Sequence, residues 1–208
     1  MSKYIRNALL FLIFFLILLY LVKSANPWLL VCDQLAQKLT GLLLNPTSFA
    51  LIKVLTNLAS YQATSVLGFV LAGVIWFKTG FVNASTCIVL LGTLNFICGQ
   101  SKPLIQRARP ANKLVEIGGF SFPSGHTFAA VSLAVLACYF LFSHFKHRYL
   151  KQICYLLAGG FVLFIAFSRV FLRVHYFSDT LASVLLFGFL WNLFLAIRLF
   201  IAQSCNRV

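Results

Sequence analysis

Three short stretches of this chain hold most of the residues able to do chemistry. The first reads Lys102-Pro103-Leu104-Ile105-Gln106-Arg107-Ala108-Arg109-Pro110, and the second Phe122-Pro123-Ser124-Gly125-His126-Thr127. The third runs from Ser168 and Arg169 through Arg173 and His175 to Asp179. Lys102, Arg109 and Arg169 supply three cations, two of them planar guanidinium forks suited to bidentate contact with an oxyanion. Ser124 and Gly125 stand where a long apolar run begins, so they open a predicted helix whose free N–H groups and dipole favour an anion. His175 and Asp179 are four residues apart. On a helical turn the carboxylate reaches the ring, fixes its tautomer and leaves the other nitrogen free to attack. His126 has no carboxylate nearby in sequence, which suits it to carrying a proton. A clamp, a nucleophile and an acid together describe phosphoryl transfer. The chain has only three carboxylates, Asp33, Glu116 and Asp179. A magnesium or two-metal site draws on several, so the expected site uses no metal and no cofactor.

Each of these residues also has a plain structural reading. Pro123-Ser124-Gly125 could be a turn and helix start, and Asp179 a helix N-cap. Arg107 and Lys113 are expected to be solvated or to face lipid headgroups. His144 and His147, in a basic loop, are expected to be interfacial and carry no chemistry. Asn83, Asn95 and Asn192 lie in or beside apolar runs, and interhelical hydrogen bonds are expected for them. For the three main stretches the plain reading must explain several coincidences of spacing. Ionisable groups beside membrane spans cost roughly 2.5–3.5 kcal/mol each near the bilayer centre, so a cluster of them points to function.

The elements that must position these residues are membrane spans. The 208 residues are 61% hydrophobic and 10% charged, far from the quarter of charged residues usual in a soluble domain. That composition excludes a disordered chain. A net charge of +14 would suit nucleic acid, but the basic residues sit between apolar runs and not on one soluble face, so nucleic acid is not an expected partner. The six cysteines show no Cys-x-x-Cys spacing, which leaves zinc and redox readings unsupported. Six apolar runs can each cross a bilayer core of about 30 Å as a helix: Ile5–Val22, Ala63–Phe77, Phe81–Cys98, Phe128–Phe142, Ile153–Phe167 and Thr180–Ala202. The fold class is therefore all-α, a polytopic membrane protein forming a single domain over 1–208, with the motifs in 102–179. The first run is read as a retained anchor and not a cleaved signal, because Lys23-Ser24-Ala25-Asn26 is a poor cleavage site.

Between the first two runs, Trp28, Val31, Cys32, Leu35, Leu39 and Leu42 recur at three- and four-residue steps, with Asp33, Gln34, Gln37 and Lys38 opposite. This is an amphipathic helix stopped by Asn45-Pro46. It either lies flat at the interface or packs against the bundle. Six spans put both termini on one side, with Lys3, Arg6, Lys78, Lys146, Arg148, Lys151, Arg198 and Arg207. All three chemical stretches fall on the other. Once the clustered cations are set aside as ligand-binding, the charge rule makes the first side cytoplasmic. The expected location is the inner (plasma) membrane, with the site facing the periplasm or cell exterior.

Lys102-x6-Arg109-Pro110, Pro123-Ser124-Gly125-His126 and Ser168-Arg169-x5-His175-x3-Asp179 together resemble the three-part signature of the type 2 phosphatidic acid phosphatase superfamily. All three parts are complete and in order, and the span layout is similar to the six-helix membrane branch. The resemblance implies that Lys102, Arg109 and Arg169 bind phosphate oxygens, with Ser124 and the Gly125 amide adding hydrogen bonds. It implies that His175 attacks phosphorus to form a phosphohistidine, positioned by Asp179. His126 would protonate the leaving oxygen and then activate water, and Ser168 would support. Where many relatives read Tyr-Leu-Gly-Val-His-Tyr-Pro-Ser-Asp, this chain has Phe171-Leu172-Arg173-Val174-His175-Tyr176-Phe177-Ser178-Asp179. Arg173 either holds a second phosphate or stabilises the loop. The partners implied are a membrane lipid phosphate and the bilayer, with no obligate protein partner. The basic residues near the site make undecaprenyl diphosphate the leading expected substrate. Phosphatidylglycerol phosphate is close behind, then phosphatidic acid and lipid A phosphates. Two other readings compete. An anion channel or transporter would need polar stripes along several spans, and these spans are almost uniformly apolar. A haloperoxidase-like pocket holding vanadate belongs to soluble relatives.

Overall fold

The computed structural model describes residues 1–205. These form eight α-helices: α1 (Ser2–Lys23), α2 (Pro27–Gly41), α3 (Pro46–Leu55), α4 (Tyr61–Thr79), α5 (Phe81–Ile105), α6 (Gly125–Phe140), α7 (Arg148–Phe171) and α8 (Phe177–Cys205). Among the described residues no strand occurs. Six helices are long and apolar enough to cross a membrane, namely α1, α4, α5, α6, α7 and α8. Each contains the greater part of one expected span. Arg207, counted on the cytoplasmic side, lies outside the described residues.

The helices outrun the apolar runs at the end that carries the chemistry. The α5 helix continues past Cys98 to Ile105, so Lys102 lies in its last turn and not in a loop. Likewise α7 runs on to Phe171 and carries Arg169 in its last turn. Hydropathy marks where lipid ends, whereas a helix ends where its backbone bonds stop, here several residues later.

Packing is tight between α1 and α8 and between α4 and α5. A Cβ on Gly188 of α8 would fall 2.5 Å from the Phe11 ring of α1, so the two helices approach across that glycine. Phe15, Phe122, Phe128 and Phe187 belong to one buried cluster that also takes in residues of α5. Phe122 and Phe128 are fully buried on either side of Pro123-Ser124-Gly125-His126 and seat that turn on the bundle. Asn95 and Asn192 do not bond between helices as expected. Their amides donate to Leu91 O and Gly188 O, one turn back on their own helices. Asn83 donates to Thr79 O across the α4–α5 turn.

The α2 helix is present as expected, capped by the Asn26 side chain with Pro27 at its first position. Its faces are used in an unexpected way. Asp33 on the polar side is buried against the bundle, while Trp28, Val31, Leu35, Leu39 and Leu42 are exposed. It packs on α7 and α8 through the strip bearing Asp33 and Gln37, presents its apolar side outward and leaves Gln34 and Lys38 exposed. Asn45-Pro46 ends α2 and also begins α3. The Asn45 side chain accepts from the Ser48 amide at 2.9 Å, and the Ser48 hydroxyl accepts from the Asn45 amide at 3.0 Å. The pair α2 and α3 with its following turn is bent by 115°.

Replacing Gly188 by Leu forces the Phe11 ring out of its seat, an overpacking cost of about 1–3 kcal/mol. The expected outcome is a lower melting temperature in detergent than wild type. Gly160→Leu, where nothing lies within 4 Å of an added Cβ, should leave it nearly unchanged.

Candidate active site

The ends of α5, α6, α7 and α8 meet at one end of the bundle, and all three motif stretches meet there. Three cations converge, each held by neutral oxygens. Lys102 Nζ donates to Pro123 O at 2.9 Å and Phe120 O at 3.2 Å. Arg109 Nε donates to Gly118 O and Gly119 O, both at 3.1 Å, and its Nη1 to Val174 O at 2.8 Å. Gly119 has a φ of 70°, a left-handed conformation that glycine adopts without strain. Arg169 is buried, and its Nη1 donates to Thr56 Oγ1 at 3.2 Å. Thr56 also shares a hydrogen bond of 2.7 Å with Ser168, so the turn after α3 braces the end of α7. The Arg169 Nε is buried without a partner. Among the described residues, none of these three cations is paired with a carboxylate.

His175 follows in the short link between α7 and α8. Its amide and that of Val174 both donate to Arg169 O, at 3.3 and 3.2 Å. Nδ1 faces Asp179 Oδ2 at 3.4 Å, and Nε2 faces Arg109 Nη1 at 3.1 Å. A carboxylate can only accept and a guanidinium can only donate, so these neighbours place the proton on Nδ1 and the lone pair on Nε2. That lone pair points at Arg109. Burial pushes the imidazole from its ordinary 6.5 down to about 4. The hydrogen bond and charge of Asp179 pull it upward, while Arg169 and Arg109 add to the lowering.

His126, in the first turn of α6, lies within electrostatic range of Arg169, His175, Lys102 and Arg109. The Ser124 hydroxyl caps α6, accepting from Thr127 N at 3.4 Å and Thr127 Oγ1 at 3.0 Å. Its amide is already given to Asp179 O at 3.1 Å, so helix start and cluster member are one residue. Lys102, Gly125 and His126 stand at the head of a cavity of about 640 Å³ between α4, α5 and α6. The cavity continues past Leu91, Gly92 and Phe96 along the apolar spans. Among the described residues no three His, Cys, Asp or Glu side chains converge as a metal site requires.

Arg107 corrects the sequence reading, because it is not solvated or turned to headgroups. Its Nη1 donates to Asp179 Oδ1 at 2.6 Å and Ser178 Oγ at 2.7 Å, and its Nη2 to Asp33 Oδ2 at 2.8 Å. Its guanidinium lies 4.0 Å from the centre of the Tyr176 ring. Lys113 does sit at the surface, donating to Ile117 O. Arg173 has a φ of 56°, the left-handed conformation for which glycine is suited. Its guanidinium reaches α2, where a Cβ on Gly41 would lie 3.5 Å from Nη2. Sequence reasoning missed Asp33, Thr56 and Ser178. Asn45-Pro46 with Ser48 is a helix-start signal that could have found the segment carrying Thr56.

Comparison with known proteins identifies the family. Residues 81–202 match the PAP2 superfamily, and the chain belongs to it. It is 28% identical over 156 residues to phosphatidylglycerophosphatase B of Bacillus subtilis strain 168, covering 73% of this chain and 75% of that protein. The crystal structure of a transmembrane PAP2 type phosphatidylglycerolphosphate phosphatase from Bacillus subtilis superposes with a TM-score of 0.80 at 25% identity. It covers 92% of this chain and 96% of that one. Aquifex aeolicus LpxE shares the fold, with a TM-score of 0.55 at 21% identity over 76% and 90% of the two chains. The protein is thus a multi-pass membrane lipid phosphatase, a hydrolase.

The lowered value at His175 gives a direct test. The ring should stay neutral from pH 9 down through 5 and take a proton only as the pH falls towards about 4. Imidazole ¹⁵N shifts of the detergent-solubilised protein report this, and a midpoint near 6.5 would contradict the assigned environment.

Proposed function

We propose that this PAP2 superfamily member dephosphorylates a glycerophospholipid phosphomonoester, phosphatidylglycerol phosphate, through a phosphohistidine at His175. The observation that carries the reading is the lone pair of His175 Nε2 facing Arg109, one of three clustered cations that have no carboxylate partner among the described residues. A phosphate dianion supplies the missing charge. Its oxygens would draw Arg109 Nη1 away from Nε2 and bring phosphorus into line with that lone pair, with Lys102, Arg169, the Ser124 hydroxyl and the Gly125 amide as further donors. Nε2 then attacks phosphorus as the bond to the lipid oxygen breaks, and His126 gives that oxygen its proton. Water next attacks phosphorus while His126 takes its proton, the P–N bond breaks and inorganic phosphate leaves. Asp179 keeps the Nδ1 proton in place and offsets the positive charge that the ring carries when phosphorylated. Ser168 supports by holding Thr56, which in turn holds Arg169.

The monoester is favoured over undecaprenyl diphosphate because two basic residues near the site are engaged elsewhere. Arg107 bridges two carboxylates, and Arg173 lies against α2. The resemblance to phosphatidylglycerophosphatase B points the same way. The cavity below His126 would take an acyl chain. The diphosphate remains the second reading, resting on a possible swing of Arg173 away from α2 towards a second phosphate.

Purified protein in detergent with EDTA should release phosphate from phosphatidylglycerol phosphate with a higher kcat/KM than from undecaprenyl diphosphate or phosphatidic acid. His175→Ala should abolish release, and His126→Ala should let phosphoenzyme accumulate from a phosphate ester with a good leaving group, which departs without a proton. A strict need for a divalent ion would contradict the mechanism. Arg173→Ala should leave the monoester rate within about 3-fold, less than the discrimination that one lost charge-assisted contact provides; loss confined to diphosphates would favour the second reading.

The site would face the periplasm or cell exterior with both termini cytoplasmic, since Lys3, Arg6, Lys78, Lys146, Arg148, Lys151 and Arg198 gather towards the opposite end. A single cysteine placed at the exposed Asn112, in a background lacking the native cysteines, should react with a membrane-impermeant maleimide on intact spheroplasts. Labelling only after lysis would reverse the orientation.

A further inference from the structure

The geometry points to Arg107 and Asp33 as positioning residues for the nucleophile, acting through Asp179. This rests on the reading of His175 as the attacking group. The two oxygens of Asp179 have separate duties. Oδ2 accepts from Tyr176 N at 2.9 Å and faces His175 Nδ1 at 3.4 Å, while Oδ1 accepts from Arg107 Nη1 at 2.6 Å. The contact to histidine is the long one, so a small rotation of the carboxylate decides whether it closes. The short contact to Arg107 sets that rotation.

Arg107 has little freedom of its own. One nitrogen is held by Asp179 and Ser178, the other by Asp33, and its plane lies over Tyr176. Asp33 is held in turn: its Oδ1 accepts from Ser178 N at 2.8 Å and its Oδ2 from Ser178 Oγ at 2.7 Å. Asp33, Ser178 and Asp179 are all fully buried or nearly so. A chain of bonds therefore runs from α2 through Arg107 to the carboxylate and on to Nδ1. One guanidinium between two carboxylates also tempers the pull of Asp179 on the Nδ1 proton. That proton must stay on the ring if Nε2 is to keep its lone pair.

Phosphoenzyme formation is read by rapid quench with a lipid phosphomonoester in detergent, after melting curves confirm each variant as folded. Arg107→Lys keeps one cation but has a single nitrogen where the guanidinium sets Nη1 on Asp179 and Nη2 on Asp33. It should slow formation about 10–100-fold, as loss of an orienting partner does, with KM changed less than about 3-fold. Asp33→Asn should follow the same pattern. In an Asp179→Asn background the Arg107→Lys change should cost no more than about 3-fold, because its route to the histidine is already cut. Effects that multiply across the two sites, or a loss that falls on KM, overturn the proposal and leave a docking salt bridge for α2. If Arg107→Lys melts far below wild type, the isosteric Asp33→Asn carries the same test. His175→Ala measured alongside separates the two claims. Phosphoenzyme in that variant sinks the nucleophile reading, whereas an inert His175→Ala with wild-type rates in Arg107→Lys and Asp33→Asn overturns the positioning role alone.

Discussion

Lys102, Arg109 and Arg169 are brought together at one end of an apolar bundle with no carboxylate between them, and the rest of the site answers to that surplus of charge. Three like charges in a partly desolvated place repel, and each has lost water. The fold compensates with neutral oxygens: loop carbonyls at 118–123 and 174, and a hydroxyl from Thr56. Carbonyls satisfy the donors without cancelling the charge, so the site keeps its attraction for an anion. With Arg107 and the carboxylates of Asp33 and Asp179 included, four cations face two anions. The remaining two positive charges match a phosphomonoester dianion.

Burial first, and the same surplus as a smaller addition, explain the state of His175. A buried imidazole beside guanidinium groups stays neutral, which is the state a nucleophile needs. Asp179 opposes that trend, and its closeness to Arg107 limits how far it can do so. Catalytic readiness therefore depends on a balance among six charged groups contributed by α5, its following loop, α7, α8 and α2.

Much of this was legible in the sequence, and the reasons for the gaps are physical. The spans were plain because lipid demands long apolar runs, and the three motifs because their spacing is local. The exact helix ends were not, since Lys102 and Arg169 continue helices whose hydropathy has already fallen. Arg107 was misread because its partners stand 74 and 72 residues away, a distance that no local spacing reports. The amphipathic pattern of α2 was correct, but the turn of Asp33 into the bundle was not legible, because its partners Arg107 and Ser178 stand 74 and 145 residues away. Arg173 occupies a glycine conformation, so its side chain leaves from an unusual backbone and travels to α2, which composition alone does not foretell.

The account stands or falls on where an anion sits relative to His175. A structure with a phosphate-like transition-state mimic such as vanadate tests this most directly. The account predicts the central atom in bonding contact with His175 Nε2, equatorial oxygens on Lys102, Arg109 and Arg169, and the apical oxygen opposite Nε2 towards His126. An anion bonded to His126, or seated away from both rings, would contradict it.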